Sequence, residues 1–208
     1  TTGMLFRPET WASQIDPPKL DYAAVLRGTE QLLSKGEWII ANSKLGEFKL
    51  RGEALQSGDG DELSRILEHL EDAQALALQR SDRQGTIRLM VFEDETWPSQ
   101  FLTMLRREET AGTAQIAAAM DVTIEVTYEP LALPESLEVD DATLRTQRVP
   151  VGDGRYRETR GAWVARGDTL VVVMAERFRP GLRLGHTIEG VFSNLDAARS
   201  QTQPGAAP

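Results

Sequence analysis

The chain has 208 residues, a formal net charge of −9 and no cysteine. That length can bury a sizeable core. The missing cysteine excludes disulfides, thiolate metal sites and cysteine nucleophiles, and the acidity argues against a protein that binds polyanions over its whole surface. No run approaches the ~20 apolar residues of a membrane span. The first twenty residues show no basic region followed by an apolar stretch, so cytoplasmic is the default location and no membrane is expected as a partner.

Thr1 to Ile15 is irregular, with Phe6 and Trp11 as anchors onto a core. Asp16-Pro17-Pro18 opens a helix whose inward stripe is Tyr22, Val25, Leu26, Thr29, Leu32 and Leu33, and Lys35-Gly36 closes it. Glu37 to Ala54 reads as a hairpin turning at Asn42 to Gly46. Asp59 with Glu62 three residues on has the form of a capping box, and Leu63, Ile66, Leu67 and Leu70 continue as an amphipathic helix. Ala73 to Gln79 and Thr86 to Phe92 form a second hairpin.

Acidic residues 93 to 95 precede a third helix at Thr96-Trp97-Pro98, striped by Phe101, Leu102 and Leu105 and interrupted at Gly112. Asp121 to Glu129 alternates cleanly as a half-buried strand, with Val122, Ile124, Val126 and Tyr128 on one face and Thr123, Glu125, Thr127 and Glu129 on the other. Pro130 to Asp141 is an acidic loop, read as a subdomain linker or a recognition segment. From Leu144 to Phe192, turns at Gly152-Asp153-Gly154, Gly167-Asp168 and Pro180-Gly181 separate four strand-like runs of an antiparallel meander. Ser193 or Asn194 caps a short helix, and Gln201 to Pro208 is a tail.

Pairing about these turns sets Trp163 opposite Val172, Arg148 opposite Glu158 and Glu158 opposite Arg177. Alternation then puts Trp163, Leu170, Val172, Met174 and Phe178 on one face and Val164, Val171, Val173 and Ile188 on the other. A strand apolar on both sides belongs in the middle of a sheet covered on both faces, or in a closed barrel. The fold class expected is α+β: a helix-hairpin-helix N-terminal half packed on a mainly antiparallel sheet that ends in a four- to five-strand meander. Its organisation is a helix- and hairpin-rich subdomain over 1–120, the meander over 121–193, and a short helix with a flexible tail over 194–208.

Through Leu144 the chain has 13 basic and 26 acidic residues, net −13; from Arg145 onward it has 10 and 6, net +4. The meander is the basic part of an acidic protein. Its candidate binding residues are Arg145, Arg148, Arg157, Arg160 and Arg177, with His186, set on a strand beside Ala175 and one strand from Arg160, and Trp163. The arginines fall on both parities, which favours cross-strand pairing with Glu158 and Glu176 over a single basic stripe. His69 reads as a solvated helix residue. Asp59-Gly60-Asp61-Glu62 fails as a calcium loop because Leu70 stands where a bidentate glutamate is required. Gly152 to Gly154 is too short for a phosphate loop and joins two strands. No catalytic signature, metal site or cofactor follows from these patterns.

The leading reading is a non-enzymatic interaction protein, a homodimer that holds another protein; its opening and acidity resemble small secretion-type chaperones at the level of fold, without a matching motif. The second is a sheet cavity in which arginines hold a small acidic molecule, with His186 and Glu158 or Glu176 as acid and base. The third, not favoured, is an accessory to nucleic-acid transactions, with Tyr156, Trp163 or Phe178 stacking on bases.

Overall fold

The computed structural model describes residues 19–34, 46–47, 60–80, 83–176 and 184–202. Its elements in chain order are α1 (Tyr22–Ser34), β1 (Gly46–Glu47), α2 (Gly60–Leu67), β2 (Leu70–Arg80), β3 (Arg83–Phe92), α3 (Thr96–Met120), β4 (Glu125–Pro130), β5 (Asp141–Gly152), β6 (Arg155–Arg166), β7 (Thr169–Glu176) and α4 (Leu184–Thr202). The strands form one antiparallel sheet in the order β1-β2-β3-β7-β6-β5-β4. The fold is α+β, with an open sheet between two helical layers.

Strand β7 lies between β3 and β6, and its composition explains the position. Val171 and Val173 enter one core with Val25 and Leu26 of α1 and Ile188, Val191, Phe192 and Leu195 of α4. Leu170 and Val172 enter the other with Leu63 and Ile66 of α2 and Phe101, Leu102 and Met104 of α3. The expected register is observed: Trp163 faces Val172 and Arg148 faces Glu158. The β5–β6 turn places Asp153 at φ 53° and Gly154 at φ 69°, the two positive angles that match a tight turn to strand twist.

Several local expectations are corrected. Asp21 caps α1, its Oδ1 accepting the Ala24 N–H at 2.9 Å. The proposed entry at Asp16-Pro17-Pro18, most of the Glu37 to Ala54 hairpin, and Arg177 and Phe178 lie outside the described residues. Helix α2 ends at Leu67, so His69 sits in the turn before β2 rather than on a helix. Gly112 does not interrupt α3, because the alanine-rich run that follows it is made of strong helix formers that offset the roughly 1 kcal/mol cost of one glycine.

The largest correction concerns the last strand-like run. Leu184–Thr202 is a helix whose buried residues are Thr187, Ile188, Val191, Phe192 and Leu195, a helical stripe rather than an alternation. Ser193 and Asn194 are inside it. Ile188 does meet Val164, Val171 and Val173, but across a layer instead of within the sheet. The acidic loop between β4 and β5 is also no free linker: Leu131, Leu133, Leu137 and Val139 pack against the core, and Asp140 accepts the Gly167 N–H at 2.7 Å. Among the described residues, no helix is long and apolar enough to cross a membrane.

Candidate functional site

Helix α3 lies against the sheet face that carries Trp163, Leu170 and Val172. Its N-terminal half buries Pro98, Phe101, Leu102 and Met104, whereas its C-terminal half leaves Ile116 and Met120 largely exposed. Two polar ties hold it where packing gives way. Arg106 reaches Asp141 of β5 with Nη2 at 3.0 and 2.9 Å from the two carboxylate oxygens, and Glu109 forms an ion pair with Arg145. Between the helix and the sheet lies a cleft of about 380 Å³.

The cleft floor is apolar: Met90 from β3, Trp163 from β6, and Val172 and Met174 from β7. Phe101, Leu105, Gly112, Thr113 and Ile116 of α3 form the opposite wall. Gly161 faces Arg145 on one side and Met174 on the other, and a Cβ there would lie 3.0 Å from Met174 Sδ and 3.6 Å from Trp163 Nε1. Its missing side chain therefore leaves room for both neighbours.

The polar lining is Arg88, Arg145, Gln147, Glu108 and Glu109. Arg145 is the buried member, its side chain only 3% exposed. Its Nη2 serves Glu109 and donates to Gln147 Oε1 at 2.8 Å, while its Nε and Nη1 donate to nothing. Tyr128 of β4 donates its hydroxyl to Glu109 Oε2 at 2.7 Å, and burial together with that bond pushes its phenol up to about 12. Burial lowers the Arg88 pKa from the usual arginine value. Glu108 is 9% exposed, and its Oε1 pairs with Arg107 Nε at 3.5 Å.

Of the residues singled out in the sequence, Arg145 and Trp163 meet at this cleft. Arg148 and Arg160 project from the other face of the sheet: both line a separate polar depression with Glu125 and Thr127. There Arg148 Nε donates to Glu158 at 2.9 Å and Arg160 pairs with the same carboxylate, and the Arg148 bond first of all holds Glu158 below the usual carboxylate range. Arg157 is exposed near the hairpin tip. His186 is not beside Arg160 on a strand; it lies exposed on α4 with Nδ1 3.3 Å from Glu189, which also accepts the Ser136 hydroxyl at 2.7 Å. The proposed acid–base pair of His186 with Glu158 is therefore not assembled. Trp163 is 4% exposed and lines the cleft under α3.

Sequence reasoning missed Glu109, Tyr128 and Glu108. The alternation that puts Tyr128 on the apolar face of its strand is the available signal, but its partner lies nineteen positions away on a helix. His69 is not simply a solvated residue: its ring lies flat on Trp97 with centroids 3.9 Å apart and its Nδ1 is 2.7 Å from Glu93. Among the described residues, no group of three or more His, Asp or Glu side chains could hold a metal ion.

No family model matches the chain, and no curated protein matches it. It is similar to the solved extracellular domain of PknH from Mycobacterium tuberculosis, with a TM-score of 0.50 at 8% identity over 89% of this chain and 97% of that one. A putative uncharacterized protein (Rv0999 ortholog) from Mycobacterium smegmatis aligns with a TM-score of 0.43 at 12% identity, over 88% of this chain and 100% of that one. The PknH likeness is one of fold. It nevertheless corrects the cytoplasmic default, because this fold is carried by an extracellular domain.

Proposed function

We infer that this chain is a binding domain that holds a small molecule between α3 and the sheet without transforming it. The observation that carries this reading is the cleft itself: about 380 Å³ of space lined by Trp163, three further apolar sheet residues and a helix face, within an otherwise close-packed layer. Ligand sites are typically concave, mostly apolar and provided with a few placed polar groups. The polar groups are arranged to hold rather than to react. Glu109 is tied by Arg145 and Tyr128, and the Tyr128 phenol is kept protonated. This reading keeps the sheet cavity expected from the sequence, but moves it off His186.

Nile red, a neutral apolar dye, tests it. Its emission should rise and saturate with the wild-type protein and should not do so with Gly112→Leu. Gly112 lines the cleft, and no heavy atom lies within 4 Å of where its Cβ would be, so the added side chain fills the cleft without a clash at its base. The variant should also be more stable by roughly 1 kcal/mol, since glycine is a poor helix former. Lost binding together with retained stability assigns the dye to the cleft. Equal binding by both proteins would refute the assignment.

A further inference from the structure

We propose that the tip of the β5–β6 hairpin docks the protein onto a lipid surface with anionic head groups. The site is separate from the cleft under α3 and does not depend on it. Among the described residues, β4 pairs with β5 only as far as Arg148, and β7 pairs with β6 only as far as Thr159. Beyond those points, residues 149–152 and 155–158 have only each other as described strand partners. The result is a two-stranded ribbon that runs past its described neighbours by about 13 Å, from the usual rise of a strand.

The end of the ribbon is both apolar and basic. Val151, displaced by a bulge between Pro150 and Gly152, and Tyr156, paired with Pro150, are 52% and 55% exposed. Residues 148–157 hold three arginines and one aspartate, net +2 on a chain of net −9. Asp153 is paired with Arg155 at 3.4 Å, whereas Arg157 is exposed and has no ion pair among the described residues. The register sets Pro150 and Tyr156 on one face of the ribbon and Val149 and Arg157 on the other, so neither face is purely polar. Exposed apolar side chains bordered by arginine match a membrane interface. The apolar atoms enter the acyl boundary, the tyrosine ring sits at head-group level and the guanidinium groups meet lipid phosphates. A nucleic acid would answer the arginines but leave Pro150 and Val151 in water. Repulsion from the acidic body is largely screened, because the ribbon reaches beyond the Debye length of about 10 Å in ordinary buffer.

The test is sedimentation of the full chain with phosphatidylcholine vesicles, with and without phosphatidylglycerol. The protein should pellet with the anionic vesicles, not with the neutral ones, and less so as salt rises. Arg157→Gln should weaken vesicle binding by about fivefold, the effect of one arginine near an anionic surface. Val151→Ser combined with Tyr156→Ser should weaken it by about tenfold through lost apolar burial. All three side chains are exposed, so the variants keep the fold. Val151→Trp adds a reporter at the tip: its emission should shift to the blue on anionic vesicles and be quenched by lipids brominated on their chains. Absence of vesicle binding overturns the proposal, as does binding that all the hairpin variants retain. Binding that is competed fully by double-stranded DNA and is untouched by the change at Val151 and Tyr156 would show a general polyanion site, and would overturn the lipid assignment too.

Discussion

Glu109 joins a helix to two strands by accepting the Tyr128 hydroxyl at 2.7 Å while pairing with the buried guanidinium of Arg145. A phenol donating to a carboxylate is the protonated form, and its folded pKa of about 12 lies above the ordinary tyrosine value of 10.0. The sign follows from linkage. A group with a raised folded pKa contributes stability that is complete below its unfolded pKa and is lost as pH rises through the folded value. Stability should therefore decline between pH 10 and about 12. In Tyr128→Phe, tyrosinate absorbance should lose its highest-titrating component and the alkaline decline should shrink. An unchanged titration would show that the bond does not form.

The Glu109–Arg145 pair should be strongly coupled. Glu109→Leu leaves a buried guanidinium without its counter-charge and is expected to cost about 3–5 kcal/mol. The double variant Glu109→Leu with Arg145→Met should recover most of that loss, because an apolar pair of similar volume replaces the ionic one. Urea denaturation of the four proteins in this cycle measures the coupling. Additive losses would contradict the ion pair.

His69 and Trp97 form a stacked pair at 9° between planes, which ties the α2–β2 turn to the start of α3. Such pairs contribute about 0.5–1.5 kcal/mol beyond area burial. His69→Ala should lower stability by about 1 kcal/mol and alter tryptophan emission. An unchanged midpoint and spectrum would show that the stack is inconsequential.

The two faces of the sheet should respond independently to core truncation. Leu195 of α4 belongs to the core under α1 and α4, Leu102 of α3 to the core under α2 and α3, and both are fully buried. Each change to alanine should cost about 2–5 kcal/mol, and the double variant should lose close to the sum, since the two sites share no core cluster. A large deviation from additivity in chemical denaturation would mean that the layers are coupled through the sheet.

Local pattern was sufficient where one face of one element made the decision. The alternation of Val171, Val172 and Val173 placed β7 in the centre of a sheet covered on both sides, and turn residues fixed the register that sets Trp163 against Val172. The same reasoning failed for Leu184 to Phe192. A short apolar run carries strand and helix periods about equally well, and the stripe of Ile188, Val191, Phe192 and Leu195 becomes decisive only when read through to Leu195.

The sequence by itself determined the α+β class, the antiparallel pairing of β5, β6 and β7, and the separation of the arginines onto two faces, because side-chain direction in a strand depends only on parity. Tertiary structure alone decided which arginine matters. Arg145 and Arg148 are three positions apart and chemically identical, yet one is buried beneath α3 beside Glu109 and Tyr128, while the other is exposed next to Glu158. Burial, counter-charge and the space beside Trp163 come from a helix more than thirty residues distant in sequence, and no local pattern contains that contact.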